Sequence, residues 1–291
     1  MVSATSPSPE KKKDFIMSFV KTADGTNIFY KDWGNKDAQP VVFSHGWPLS
    51  ADAWDGQMLF LVQQGYRVIA HDRRGHGRSD QPATGNDMNT YADDLAAVIN
   101  ALDLKNIVLV GHSTGGGEIS HYVGRHGTKR VAKMVLVGAV PPIMAKTAAY
   151  PNGLPISVFD GIRKGVADNR SQFYLDLTTP FYGFNREGVE PNEGLKLSFW
   201  NQGMQGSILG QYLCIHEFSE VDYTEDLKAI DVPTLIIHGS DDQIVPIGNA
   251  GELAAKIIPG AEFKVYEGAG HGLTAINQDR FNADLLAFIK A

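Results

Sequence analysis

The chain of 291 residues contains a single cysteine, Cys214, so an intrachain disulfide framework is excluded. No apolar run approaches the roughly 18 residues that a membrane-crossing helix needs. The nine histidines form neither a His-Glu-x-x-His motif nor another metal-ligand spacing, so no metal is expected. Basic charge is also in short supply. Twenty-six Lys and Arg stand against 33 Asp and Glu, a formal charge of −7, which argues against a nucleic-acid partner or an anionic membrane surface. No secretory signal is expected: residues 1–13 are small and polar with three lysines, Asp14 follows, and the apolar run at 15–17 is too short. Residues 1–13 are read as a disordered tail, and a cytoplasmic location is the expectation.

What is present is an ordinary globular composition, 43% hydrophobic and 20% charged. A chain of this length can bury roughly three quarters of its unfolded surface and needs no covalent staple to hold a core. Strands are expected at 17–21 and 27–33 about the Asp24-Gly25 turn, a strong hairpin signal. Further strands are read at 41–43, 66–70, 107–110 and 131–137, with helices at 57–64, 90–102 and 114–125. Leu95, Val98, Ile99 and Leu102 carry the helical spacing of the second. These later strands are continuously apolar, as in a parallel sheet covered by helices on both faces.

The rhythm breaks after Gly138. Residues 141–225 hold six prolines and many aromatics without a strand period, and are read as a mostly helical insertion. Strand and helix alternation resumes with strands at 234–238 and 262–266 and helices at 247–257 and 281–289. The expected fold is α/β: a mostly parallel sheet with an antiparallel N-terminal hairpin. Its core spans 14–140 and 226–291, and a helical cap at 141–225 follows the sixth strand.

Gly111-His112-Ser113-Thr114-Gly115 is the sharpest local signal. It matches G-x-S-x-G between an apolar strand and a helical pattern, the setting in which that motif makes a nucleophile elbow. The flanking glycines permit a turn so tight that strand and helix nearly touch. A dinucleotide fingerprint fails because Ser113 occupies its second glycine. A P-loop fails because Glu118 follows Gly117 where lysine is required.

A serine hydroxyl needs a histidine to take its proton, and that histidine needs a carboxylate. In a hydrolase sheet the chain order is Ser, acid, His. His121 and His126 lie on the helix leaving the elbow, His216 in the insertion, and His238 at a strand end facing the core or a neighbouring loop. His271, in a glycine-rich loop before the last helix, is the expected base. After strand 234–238, either Asp241 or Asp242 could reach it, and spacing does not separate them. For an oxyanion, Thr114 N–H offers one donor and Trp47 N–H, in His45-Gly46-Trp47-Pro48, the other. The run from Asp72 to Ser79, with three arginines and two glycines, reads as a braced turn rather than a catalytic element.

With these residues in place the chain resembles the cofactor-free (non-haem) bacterial haloperoxidases and the aryl esterases of the α/β-hydrolase superfamily. The resemblance runs from about Met17 to Ala291. It is carried by Asp24-Gly25-Thr26-Asn27-Ile28-Phe29-Tyr30, His45-Gly46-Trp47-Pro48-Leu49-Ser50, Asp72-Arg73-Arg74-Gly75-His76-Gly77-Arg78-Ser79, Gly111-His112-Ser113-Thr114-Gly115-Gly116-Gly117-Glu118, Phe181-Tyr182-Gly183-Phe184-Asn185-Arg186 and Gly239-Ser240-Asp241-Asp242-Gln243. It implies Ser113, Asp242 and His271 as the triad, with Asp242 as the aspartate directly before Gln. Trp47 and Thr114 are implied as oxyanion donors. The implied chemistry is that of a serine esterase on small or aromatic esters, with no cofactor. Hydrogen peroxide is implied as a co-substrate that yields a peracid, the source of an apparent haloperoxidase activity.

Trp47, Phe159, Phe181 and Trp200 are candidates for a compact apolar substrate pocket, with cap packing as the competing role for each of the cap aromatics. Amide or lactam hydrolysis by the same triad is the alternative reaction. A non-catalytic small-ligand-binding protein on the same fold is the alternative class. The sequence is compatible with a homo-oligomer.

Overall fold

The computed structural model describes residues 18–291. The tail read at 1–13 and the start of the first expected strand lie outside the described residues. The opening hairpin is β1 (Phe19–Lys21) and β2 (Asn27–Trp33), paired antiparallel. There follow β3 (Pro40–Ser44), α1 (Asp55–Gln63), β4 (Arg67–His71), α2 (Met88–Ala101), β5 (Ile107–His112), α3 (Thr114–His126) and β6 (Val131–Val137). Between this half and the last strands come the helices α4 (Ile156–Tyr182), broken by a kink at Asn169 (φ −160°, ψ 80°), α5 (Glu193–Gln205), α6 (Ile208–Ser219) and α7 (Thr224–Lys228). The chain then closes with β7 (Thr234–Gly239), α8 (Gly251–Ile257), β8 (Glu262–Tyr266), α9 (Leu273–Ile276) and α10 (Gln278–Lys290).

The eight strands lie in the order β1-β2-β4-β3-β5-β6-β7-β8. β2 pairs antiparallel with β4, and every pair beyond it is parallel. Successive side chains on a strand point to opposite faces, and here both faces are buried. Val42, Leu109, Leu136 and Ile236 enter one core with Leu95 and Ile99 of α2 and Ile119 of α3. Val41, Phe43, Val110, Val137 and Ile237 enter the other with Met58 of α1 and Phe281 of α10. This double burial explains why the strands read as unbroken apolar runs.

A third apolar cluster joins α4, α5 and α6 to the loops at the sheet's carboxyl edge, through Trp47, Val140, Phe159, Phe181, Phe199 and Phe218. Local signals set these helices. Asn192 and Ser207 accept from Leu195 N–H and Gly210 N–H at the starts of α5 and α6, caps worth about 1 kcal/mol each. The helix expected at 247–257 is split. A 3-10 turn at Ile247–Asn249 gives way at Ala250 (φ −130°, ψ −87°), and α8 begins at Gly251, directly against the His238 ring.

β3 has β4 on one side and β5 on the other, so the chain reverses its direction of winding there. The loops leaving β3 and β5 diverge at that point and open a crevice at the carboxyl ends of the strands, the usual place for a ligand in such sheets.

Candidate active site

Ser113 sits in that crevice. It separates β5 from α3 with φ 54° and ψ −121°, a sparsely populated conformation for a residue with a side chain. The neighbouring glycines make room for it. A Cβ at Gly111 would stand 2.4 Å from the Gly115 carbonyl oxygen, and one at Gly115 only 2.2 Å from that of Ser44. Elbow helix and β3 therefore touch backbone to backbone. The loop after β3 approaches the serine itself, for a Cβ at Gly46 would lie 3.1 Å from the Ser113 Cβ.

The loop between β8 and α9 brings His271 to the same place. Its Nδ1–H donates to Asp242 Oδ2 at 2.7 Å. Asp242 Oδ1 accepts from the Ile244 and Val245 N–H groups at 2.9 and 2.8 Å. Burial alone would push the Asp242 carboxyl up, yet the facing imidazoles of His271 and His238 hold it well below the usual carboxylate range. It is therefore an anion at neutral pH and fixes the proton of His271 on Nδ1. His271 Nε2 is left buried without a protein partner.

Ser113, Thr114, Trp47 and His271 line one cavity of about 390 Å³ whose remaining wall is chiefly apolar. Among the described residues, neither Trp47 N–H nor Thr114 N–H has a backbone acceptor. Cys214, the other conceivable nucleophile, is buried, and burial pushes its thiol up to about 12. The described residues hold no group of three or more His, Cys, Asp or Glu arranged to take a metal ion. No helix among them is long and apolar enough to cross a membrane.

Residues 39–274 match the alpha/beta hydrolase fold family. The chain is 59% identical over 276 residues to a non-heme haloperoxidase of Rhodococcus erythropolis, an overlap covering 94% of this chain and 100% of that protein. It belongs to the cofactor-free haloperoxidase family of α/β hydrolases. A bifunctional esterase/perhydrolase of Acinetobacter calcoaceticus is 51% identical over 276 residues, 94% of this chain and all of the relative. Among solved structures, a bromoperoxidase from Bacillus anthracis superposes with a TM-score of 0.90 at 38% identity, covering 94% of this chain and 99% of that one.

In this haloperoxidase-family chain the two aspartates that spacing leaves equivalent have different partners. Asp242 meets His271, whereas Asp241 is half-exposed and bound side-on by the Arg186 guanidinium. Beside that ion pair, Asn185 and Gln243 exchange two amide hydrogen bonds at 2.9 and 3.0 Å. The segment after α4 is thus fastened to the loop that carries Asp242.

Trp47, Phe159 and Phe181 line the cavity. Trp200 does not, and that expectation is corrected. On α5 it is the preceding residue, Phe199, that faces Phe181, with ring centroids 4.9 Å apart. One residue on, some 100° around the helix, Trp200 turns to α4 and donates from Nε1 to Ser171 Oγ at 3.1 Å.

Two histidines gain a place at the site that the sequence reading does not assign them. His238 Nε2 lies 3.3 Å from Asp242 Oδ2 and 2.8 Å from the Val245 carbonyl oxygen, so it helps to hold the loop that carries Asp242. His112 stacks at 4.7 Å on His271, and its Nε2–H donates to the His271 carbonyl at 3.1 Å. Burial, then the neighbouring His271 imidazole, pushes His112 down to about 3, so it stays a neutral brace. The only sequence signals for them are a position ending β7 and a position next to the elbow serine.

Proposed function

We propose that the protein is a serine esterase in which Ser113 is the nucleophile, His271 the general base and Asp242 the residue that orients that base and balances its charge. The observation that carries the reading is the 2.7 Å bond from His271 Nδ1 to Asp242, with Nε2 left free in the cavity that Ser113 also lines. Ser113 Oγ attacks the ester carbonyl carbon and gives its proton to His271 Nε2. The negative charge that develops on the carbonyl oxygen is met by the N–H groups of Trp47 and Thr114. His271 then returns the proton to the departing alkoxide, leaving an acyl group on Ser113.

Water attacking that acyl group yields the carboxylic acid. Hydrogen peroxide attacking the same carbon yields a peracid, with no change of oxidation state at the enzyme. Peracid released into solution can oxidise a halide to hypohalous acid and revert to the carboxylic acid, which accounts for haloperoxidase behaviour without a redox group. The helices between β6 and β7 act as a cap over this chemistry. The apolar wall and the volume of about 390 Å³ favour small or aromatic acyl esters over long-chain lipids.

The test is a fluorophosphonate probe combined with parallel assays of p-nitrophenyl acetate hydrolysis and acetate-dependent peracid formation. One covalent adduct, lost together with both activities in Ser113→Ala, is the expected outcome. A folded wild-type chain that takes no label and turns over no ester would instead favour a ligand-binding protein.

A further inference from the structure

Beneath the loop that carries Trp47 lies a buried polar cluster that the proposed chemistry does not use. Glu118, fully buried on α3 one turn after Thr114, accepts from Ser44 Oγ at 2.7 Å, from His71 Nε2 at 2.7 Å and from Arg73 Nε at 2.8 Å. Arg73 Nη2 also contacts Glu118 and donates to the His45 carbonyl oxygen at 2.9 Å. The Arg73 backbone N–H donates to His45 Nε2 at 3.0 Å. Since that nitrogen is an acceptor, the His45 proton must be on Nδ1, where it donates to the Gly46 carbonyl oxygen at 2.9 Å. Burial, then the Arg73 charge, pushes His45 well down, so the neutral tautomer persists.

The Gly46 carbonyl and the Trp47 N–H belong to one planar peptide unit, and that unit is trans. The oxygen, gripped by His45 and by the Leu49 N–H at 3.0 Å, therefore aims the N–H to the other side. We infer that Glu118, Arg73 and His45 form a relay of positioning residues that orients the Gly46-Trp47 peptide and so aims the Trp47 N–H at the oxyanion. Glu118 ties the same relay to the helix that supplies the Thr114 N–H, so one carboxylate sets the relation between the two donors. The inference rests on the esterase reading of Ser113.

Removing an oxyanion donor outright costs about 100- to 1000-fold in kcat; a donor that is present but misdirected should cost less. Glu118→Gln and His45→Ala are each expected to lower kcat by about 10- to 100-fold while KM stays within about twofold. Affinity for a boronic acid, whose tetrahedral adduct places an oxygen where the oxyanion forms, is expected to fall by the same factor. His45→Asn, which can keep an N–H donor near the Gly46 carbonyl, is expected to recover part of both.

Glu118→Gln leaves Arg73 as a buried cation without a counter-charge, so Ser44→Ala serves where that chain does not fold. It removes one neutral donor from the carboxylate and is expected to lower kcat by about three- to tenfold at unchanged KM. Folded variants that lose thermal stability but keep kcat and boronic-acid affinity within twofold of wild type overturn the inference. A wild-type chain that takes no fluorophosphonate overturns the reading of Ser113 instead, so the two failures are distinguishable.

Discussion

Asp241 and Asp242 are chain neighbours bound in opposite directions, the first to Arg186 of the segment after α4 and the second to His271. Loss of charge at each should therefore be felt differently. In Asp242→Asn the amide cannot stabilise an imidazolium, and it can pair with the wrong tautomer of His271. We expect kcat for p-nitrophenyl acetate to fall by about 1000- to 10,000-fold with little change in fold. Asp241→Asn weakens an ion pair open to solvent, so kcat should stay within about threefold and Tm within about 2 °C. Steady-state kinetics on the two variants side by side decide it. Equal activity in Asp242→Asn would remove that residue from the mechanism.

The buried carboxylate of Glu118 supplies a pH dependence whose sign can be worked out. Burial pushes its pKa up, but the facing Arg73 and His71 more than offset this and bring it down to about 2, below the ordinary 4.5. A carboxylate depressed in the folded state stabilises above its unfolded pKa, and that contribution is lost as pH falls toward the folded value. The protonated Glu118 side chain and a glutamine amide are near isosteres, so the stability gap between wild type and Glu118→Gln should be widest above about pH 5 and narrow below about pH 4. Urea unfolding midpoints from pH 3 to pH 7 measure the gap. A gap that does not vary with pH contradicts the assignment.

The elbow is legible in the sequence because everything it needs is local: an apolar strand, two glycines, a serine and a helix start within a dozen residues. The strand at 131–137 is legible as a buried apolar run, and that at 262–266, a half-exposed edge strand, from its place in the resumed alternation of strand and helix. Asp241 and Asp242 cannot be separated by spacing, because what divides them is a contact with Arg186, 55 residues away in the chain. Trp200 is misplaced by the sequence reading for a related reason. In a helical stretch without strand period, the register of α5 is set by its packing on α4, and a shift of one residue exchanges Phe199 for Trp200 against Phe181. His45 and Glu118 sit inside recognisable motifs, yet their tie through Arg73 depends on how β3, β4 and α3 meet.

Backbone strain at Ser113 gives a prediction about stability alone. At φ 54° and ψ −121° a Cβ is crowded, and such a conformation costs about 1–3 kcal/mol. Ser113→Ala keeps the Cβ and so keeps the strain. Ser113→Gly relieves it, offset by about 0.5–1 kcal/mol of extra freedom in the unfolded chain. Both variants should be inactive, and the glycine variant should be more stable than the alanine variant by about 1 kcal/mol. Urea denaturation of the pair checks this ordering; an alanine variant more stable than the glycine variant would mean that strain at the elbow is smaller than the offset of about 0.5–1 kcal/mol.

Substrate size should answer to the residues that line the cavity and ignore the one that does not. Phe159 is fully buried in its wall, whereas Trp200 lies outside it against Ser171. Trimming Phe159 to alanine opens space for a longer acyl chain. Two added methylenes that become buried contribute about 1.6 kcal/mol, a factor of roughly ten to fifteen in kcat/KM. The ratio of kcat/KM for p-nitrophenyl hexanoate over butyrate is therefore expected to rise by about tenfold in Phe159→Ala, even though the variant loses stability. In Trp200→Ala the same ratio should stay within about twofold of wild type. A Trp200 variant that shifts chain-length preference as strongly as the Phe159 variant would place the acyl group on the other side of α5 from the cavity described.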